Sequence, residues 1–239
     1  AGGHEVWPRL TFEAGDAARM ARNGVGAGAD LVIAAGGDGT VNEVANGLAE
    51  AEWPGPLAII PLGTANDFAA SLDIPEELSG AMDVALGAAE RTVDVARVND
   101  RHFLNVSTGG VAASATDETP RDTKRLLGPL AYLVTGVQKL PELEPLTARF
   151  TTPEGVAYDG EIMMYAVGNG QQTGAGSRLT PRAELDDGEL DVLVVPGMSR
   201  MEFMALAPKL RSGAAVEDGE PDIHYFRTSR LTVESDASL

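Results

Sequence analysis

An α/β first half followed by a mostly β second half is the architecture this sequence predicts. Up to about residue 94, short wholly apolar runs alternate with stretches of helical spacing. Beyond that point, segments rich in Val, Thr, Tyr and Phe lie between Gly, Pro and Asp turns. The length of 239 residues is enough to bury a sizeable core in one large or two modest domains. We place the boundary between residues 94 and 95, with a parallel sheet in 1–94 and a mostly antiparallel β-sandwich in 95–239.

Residues 5–11 have the composition of a strand, and 15–25 carry Ala17, Ala18, Met20 and Ala21 at helical spacing. Residues 31–35 form a continuous apolar strand, 41–51 return to helical spacing, 57–61 ("LAIIP") form a second buried strand, and 66–71 open a helix. Strands apolar on both faces and separated by helices imply a parallel sheet covered on both sides. In the second half, 101–107, 146–152, 161–168, 190–195 and 228–234 read as strands, and 124–140 and 199–210 as helices.

Composition excludes several functions. There is no cysteine, so disulfides and thiolate metal sites are ruled out, which suits a cytoplasmic protein. A formal net charge of −18 argues against nucleic acid as a partner, because phosphates must be met by Lys and Arg. A high-salt or high-GC source would explain the acidity, as would a merely acidic cytosolic protein. The longest apolar stretch, 126–137, is interrupted by Gly128, Pro129 and Thr135 and is too short to cross a bilayer. No signal-peptide pattern opens the chain. His4, His102 and His224 form no ligand-spaced cluster and read as structural.

Residues 34–43, "AAGGDGTVNE", leave a buried strand and enter a helix. A glycine-rich turn at the carboxyl end of a parallel strand is where α/β proteins hold phosphates: glycines let the backbone approach, and the new helix presents its positive end. Asp38 inside the turn would repel a phosphate, so its natural task is to hold Mg²⁺ or to orient a group that does. The alternative is a turn that only redirects the chain. A second turn of the same kind, "PLGTANDFA", follows 57–61. Neighbouring strands would bring the two together, so that Asp38 and Asp67 share a metal–phosphate site. Helix capping is the competing reading for Asn66 and Asp67.

"GGDGTVNEV", "PLGTANDFA", "VDVARVNDRHFLNVSTGG" and "GNGQQTGAGSRLTPRAELDDGELDV", in that order, resemble the diacylglycerol kinase and sphingosine kinase superfamily, in particular bacterial lipid kinases of the YegS and DgkB type. The resemblance implies transfer of the ATP γ-phosphate to a lipid hydroxyl at a membrane surface, with ATP and Mg²⁺ as cofactors, in a cytoplasmic, peripheral enzyme of phospholipid biosynthesis; it leaves room for a homodimer. It implies that Thr11, Gly36, Gly37, Asp38, Gly39, Thr40, Val41, Asn42 and Thr64 bind nucleotide, and that Asp38, Asp67 and Asp94 form an acidic catalytic network. That fits phosphoryl transfer, which is mostly positioning and charge neutralisation. For Asp94 the alternative is a solvated strand-end carboxylate.

The resemblance further implies a structural Mg²⁺ at "ELDDGELDV", with Glu184, Asp187 and Glu189 as ligands, the glutamates through their carbonyls. A plain hairpin turn is the alternative there. Family members open with a further strand bearing an Asn-Pro turn and carry an Asp-Gly-Glu segment with the general base, which is expected beyond Leu239. On that reading the chain is truncated at both ends and lacks its base. Asp218-Gly219-Glu220 precedes the matching strand and reads as a chance likeness. Two other functions stay open: a noncatalytic nucleotide- or lipid-binding protein, and an NAD kinase-like enzyme, which shares GGDGT.

Overall fold

The computed structural model describes residues 3–87, 89–110 and 145–236. The predicted helix over 124–140 lies outside them. Helix α1 (Asp16–Gly26) leads to β1 (Val32–Gly36), α2 (Asp38–Glu50), β2 (Leu57–Pro61), α3 (Asp67–Ser71) and α4 (Leu78–Gly87). Strands β1 and β2 pair in parallel, Val32 opposite Leu57 and Gly36 opposite Pro61. The alternation of apolar runs and helical spacing therefore produced the expected α/β arrangement. Helix α4 was not foreseen.

The expected strand over 5–11 is absent. These residues belong to no helix or strand and are solvent-exposed, with Val6, Leu10 and the adjoining Phe12 among the most exposed apolar side chains. A strand needs a neighbour to take its backbone hydrogen bonds, and among the described residues none lies beside this one.

The second half is antiparallel. A short hairpin, β3 (Ala96–Val98) and β4 (Arg101–Phe103), precedes β5 (Val106–Gly110), β6 (Leu146–Thr152), β7 (Gly155–Gly168) and β8 (Leu190–Pro196). Helices α5 (Arg200–Ser212) and α6 (Ala214–Glu217) follow, then β9 (His224–Thr228) and β10 (Thr232–Ser235). The described strands of this half other than the hairpin form one six-stranded sheet in the order β10-β6-β7-β8-β9. The long β7 pairs with β6 through its first part and with β5 through its second.

Two predicted strands are each broken in two. The strand over 101–107 is interrupted where Leu104 turns into the core and the Asn105 carbonyl accepts from Asn169 and Gly170. The strand over 228–234 breaks after Thr228, whose hydroxyl donates to the Arg230 carbonyl at 2.8 Å and closes a turn. Helix α5 follows the sequence closely, because Ser199 and Glu202 form a reciprocal capping box at its start.

Three apolar cores occur among the described residues. Met163, Met164, Leu193 and Val195 pack under α5 through Phe203, Leu206 and Leu210, and Phe150, Ile162, Val192 and Val194 form a second cluster. The third lies between α1, α2 and the parallel strands, and Leu104 and Leu185 from the second half complete it. Asn46 adds a polar clamp between the halves: its amide donates to the His102 carbonyl at 2.9 Å and its oxygen accepts from the His102 amide at 2.8 Å.

Candidate active site

The two glycine turns meet as the sequence predicts. The Leu62 amide donates to the Gly36 carbonyl at 3.0 Å. A Cβ on Gly63 would stand 2.4 Å from the Gly37 Cα, and one on Gly37 would stand 3.0 Å from the Gly63 Cα. These two glycines are required by the contact of turn with turn. Asn66 is left-handed (φ 53°), and its side chain folds back onto Gly63, accepting from the amide at 2.9 Å and donating to the carbonyl at 3.0 Å. It therefore does not cap α3 through its side chain.

Asp38 takes that task from the neighbouring turn. Its Oδ1 accepts the Phe68 amide at 2.9 Å, in the first turn of α3, and the Asn105 side-chain amide at 3.4 Å. Asp67 is buried, and both its oxygens accept backbone amides from the second half: Gly176 at 2.8 Å and Ala175 at 3.1 Å. The Gln172 amide donates to the Asp67 carbonyl at 3.3 Å. Gly174, Ala175 and Gly176 are three successive left-handed residues (φ 59°, 64° and 84°), a conformation that turns adjacent amides to one side. Burial pushes the Asp67 carboxyl above its ordinary range; the charge of Asp38 adds to the rise, and the two amides oppose it.

Asp94 is also tied to the second half. Its Oδ2 accepts the Gly188 amide at 2.7 Å, its own amide donates to the Leu185 carbonyl at 2.6 Å, and its carbonyl accepts the Asn169 side chain at 3.1 Å. It is thus an anchored carboxylate, not one left to solvent. No hydrogen bond joins it to Asp38 or Asp67 among the described residues. The connection runs through Asn169, which also donates to the Leu104 carbonyl at 2.8 Å and whose amide donates to Asn105, the residue that bonds Asp38. A cleft of about 420 Å³ lies between the end of α3 (Ala70, Ser71) and the Asp-Gly turn (Glu184, Asp186), lined also by Arg91 and Gln172.

Of the remaining predicted residues, Thr40 packs its side chain against Gly36, Val41 is buried in the core below the turn, and Gly39 and Thr64 are exposed. Asn42 and Asn105 each keep a buried side-chain oxygen without a hydrogen-bond partner. Thr11 is exposed and unpaired; the turn after it is docked on α2 by the Gly15 amide, which donates to Glu43 at 3.1 Å.

Near the Asp-Gly turn, Asp187 Oδ1 accepts the Glu189 amide at 2.9 Å, and its Oδ2 is bonded to Arg227. Arg227 also pairs with Glu189 at 3.0 Å. With both Asp187 oxygens engaged and a guanidinium beside them, the Asp187 carboxylate as folded has no oxygen without a partner to offer a divalent cation. No cluster of three or more His, Cys, Asp or Glu side chains suited to a metal occurs among the described residues.

Sequence reasoning missed Asn105, Asn169, Gln172, Ala175, Gly176, Gly188 and Arg227. Asn169 alone had a local signal, a Gly-Asn-Gly triplet at a strand end. The others contribute backbone amides or reach across the fold.

An α/β unit with two glycine turns at the ends of parallel strands, its three aspartates held by an antiparallel β unit, is the class that fold and site define. Residues 2–98 match the model of the diacylglycerol kinase catalytic domain, and 105–239 match that of the YegS C-terminal NAD kinase beta sandwich-like domain. The chain belongs to the YegS-like diacylglycerol kinase family. It is 44% identical over 240 residues to a Chromohalobacter salexigens protein described as "Probable lipid kinase YegS-like", covering 99% of this chain and 76% of that one. A Pseudomonas aeruginosa protein with the same description is 42% identical over 194 residues, 81% of this chain. The chain spans 64% of that relative's length. A crystal structure of a diacylglycerol kinase from Bacillus anthracis str. Sterne superposes with a TM-score of 0.73 at 31% identity, covering 95% of this chain and 74% of that one. No helix among the described residues is long and apolar enough to cross a membrane.

Proposed function

We propose that this chain carries the nucleotide site and the acidic network of an ATP- and Mg²⁺-dependent lipid kinase that transfers the γ-phosphate to a lipid hydroxyl, diacylglycerol or a similar alcohol. The observation that carries the reading is the convergence of two strand-end glycine turns on Asp38 and Asp67, each fixed by donors from another segment. On this reading residues 1–94 are the nucleotide-binding domain and 95–239 the β domain that closes on it. The work is cytoplasmic and done at a membrane surface.

The site fits a cation-bridged nucleotide. Among the described residues no Lys or Arg pairs with Asp38 or Asp67, and Asn42 and Asn105 offer buried, unpartnered oxygens. Without a metal, a phosphate chain there would face the Asp38 and Asp67 carboxylates with no Lys or Arg paired to them among the described residues. Mg²⁺, when bound, would neutralise the phosphates. The residues themselves would supply position: the amides after Gly36 and Gly37 and the hydroxyls of Thr40 and Thr64 would donate to phosphate oxygens, while Asp38 ties the two turns together and Asp67 ties the start of α3 to the 174–176 segment. In the transfer, the lipid oxygen bonds to the γ-phosphorus, the β–γ bridging bond breaks to release ADP, and the hydroxyl proton goes to a base. All three aspartates already accept backbone amides, so we assign the base to none of them; the family resemblance puts it in the Asp-Gly-Glu segment.

Calorimetry with Mg-ATP tests the nucleotide half. Thr64→Val removes an exposed hydroxyl without touching the fold, and Asp38→Asn keeps the shape of the Phe68 cap. Each should weaken binding at least about tenfold, roughly 1.4 kcal/mol. Unchanged affinity in both would sink the phosphate reading. Transfer of ³²P from γ-labelled ATP to a panel of lipid alcohols and to NAD tests the acceptor. Phosphorylation of NAD alone would favour an NAD kinase-like enzyme, which the second family model's description keeps in view. Binding without transfer, in a longer form that carries the Asp-Gly-Glu segment, would favour a noncatalytic protein.

A further inference from the structure

The segment 184–191 is gripped from two sides. On one side Asp94 accepts the Gly188 amide at 2.7 Å, and Arg91 pairs with Asp186 at 3.4 Å. On the other stands Arg227, which β9 places directly opposite Asp191 of β8. Its guanidinium bonds Asp187, pairs with Glu189 at 3.0 Å and lies 3.6 Å from Asp191 Oδ2. Glu184 adds a fourth negative charge felt by Arg227.

Asp191 makes the arrangement more than a surface cluster. It is 1% exposed; its Oδ1 accepts the Tyr225 hydroxyl at 2.7 Å, while its Oδ2 is buried without any hydrogen bond. Burying a carboxylate oxygen without a hydrogen bond is costly, and a positive charge beside it offsets part of that cost. The charge available is Arg227, and it is covalently part of the chain.

We infer that Arg227 is the resident cation of the Asp-Gly turn, filling the place where the family resemblance expects a metal ion, and that through the Gly188 amide it is a positioning residue for Asp94. The guanidinium offsets part of the mutual repulsion of Asp187, Glu189 and Asp191 and fixes the turn between them. The fixed turn presents the Gly188 amide to Asp94 Oδ2. The second half of the inference matters to catalysis only on the lipid-kinase reading; the first half stands without it.

The test uses the 239-residue chain and needs no activity. Melting is compared in chelator and in millimolar MgCl₂ at matched ionic strength, for wild type, Arg227→Lys, Arg227→Met and Asp187→Asn. Wild type and Arg227→Lys should respond alike to Mg²⁺, and any rise that Asp38 and Asp67 produce should persist in Asp187→Asn. Arg227→Met should melt about 2–4 °C lower in chelator and recover part of the loss in Mg²⁺. Hydrogen exchange of the Gly188 amide should speed up in Arg227→Met and stay slow in Arg227→Lys, with the β8–β9 ladder protected in both.

Four results would overturn the inference. The first is a wild-type melt raised by Mg²⁺ and flattened by Asp187→Asn, since a metal would then be displacing the arginine. The second is an Arg227→Met melt equal to wild type in both buffers. The third is a loss that neither lysine nor Mg²⁺ repairs, which would mean packing and not charge. The last is faster exchange along the whole β8–β9 ladder, which would make Arg227 a strand-pairing residue only. Because no readout involves phosphoryl transfer, a failed kinase assay leaves these results unaffected.

Discussion

The paired glycine turns after β1 and β2 and the Asp-Gly turn before β8 use the same vocabulary, a strand end with glycine and aspartate, yet they answer negative charge differently. Asp38 and Asp67 are met by neutral amides, and the carboxyl of Asp67 is pushed up by burial and by its neighbour. Asp187, Glu189 and Asp191 share a guanidinium from a facing strand. A carboxylate site with no internal cation is one that an external cation can complete. A site that already has its cation is a brace. The difference separates a candidate reaction centre from its support.

The largest effect expected from breaking this comparison is at Asp67. Asp67→Asn should reduce phosphate transfer to lipid by about a hundredfold or more, because it removes charge where metal and phosphates must be held. The same change should raise the melting temperature at pH 7 by a few degrees, since it removes a buried charge facing Asp38. The sign follows from linkage. A carboxyl whose folded pKa lies above its unfolded one binds its proton more tightly when folded, so the wild type gains stability as pH falls from neutral through the raised value. The advantage of the asparagine should shrink over that range and vanish below the unfolded pKa, and a gap independent of pH would contradict the assignment.

Asn169 joins the two regions, and Asn169→Leu should come next in size. It would leave the carbonyls of Asp94 and Leu104 without a donor, at about 1–3 kcal/mol for each buried group orphaned, readable as a lower midpoint in urea. Gly63→Ala should act on the glycine turns alone. Its methyl would enter the space of the Gly37 Cα, so Mg-ATP affinity should fall by at least about tenfold while the melt of the β unit changes little.

The smallest effect belongs to Asp16, at the start of α1. The amide of Phe12 first, then the Arg19 side chain and the Glu13 amide, hold its carboxyl down at about 2. Its contribution is present above the unfolded aspartate pKa and is lost as pH falls toward the folded value. Asp16→Asn should therefore lower the melting temperature slightly at pH 7 and by much less near pH 2, and an equal loss at both would assign the effect to something other than charge.

Much of the fold was legible because it depends on local pattern. Apolar runs at 31–35 and 57–61 became parallel strands, and the helix expected over 199–210 formed as α5. The meeting of the two glycine turns was legible too, since it follows from parallel neighbours each ending in glycine. The failures share a cause. Residues 5–11 have strand composition but, among the described residues, no neighbour to pair with, and the breaks at Leu104 and after Thr228 are set by contacts with Asn169, Gly170 and Arg230. A run of β-forming residues says nothing of which carbonyl must turn aside.

By itself, then, the sequence determined the periodicities, the turns and the chemical types at the site: glycines where backbones must touch, carboxylates and hydroxyls where phosphates and metal are proposed. These are properties of a residue and its near neighbours. Only the tertiary structure decided what each aspartate faces. Asp67 meets the amides of Ala175 and Gly176, Asp94 meets Gly188, and Asp187 meets Arg227, across separations of 108, 109, 94 and 40 residues. Backbone amides carry no sequence signature and a surface arginine has many destinations, so whether a carboxylate awaits a cation or already has one is fixed by which strands lie side by side.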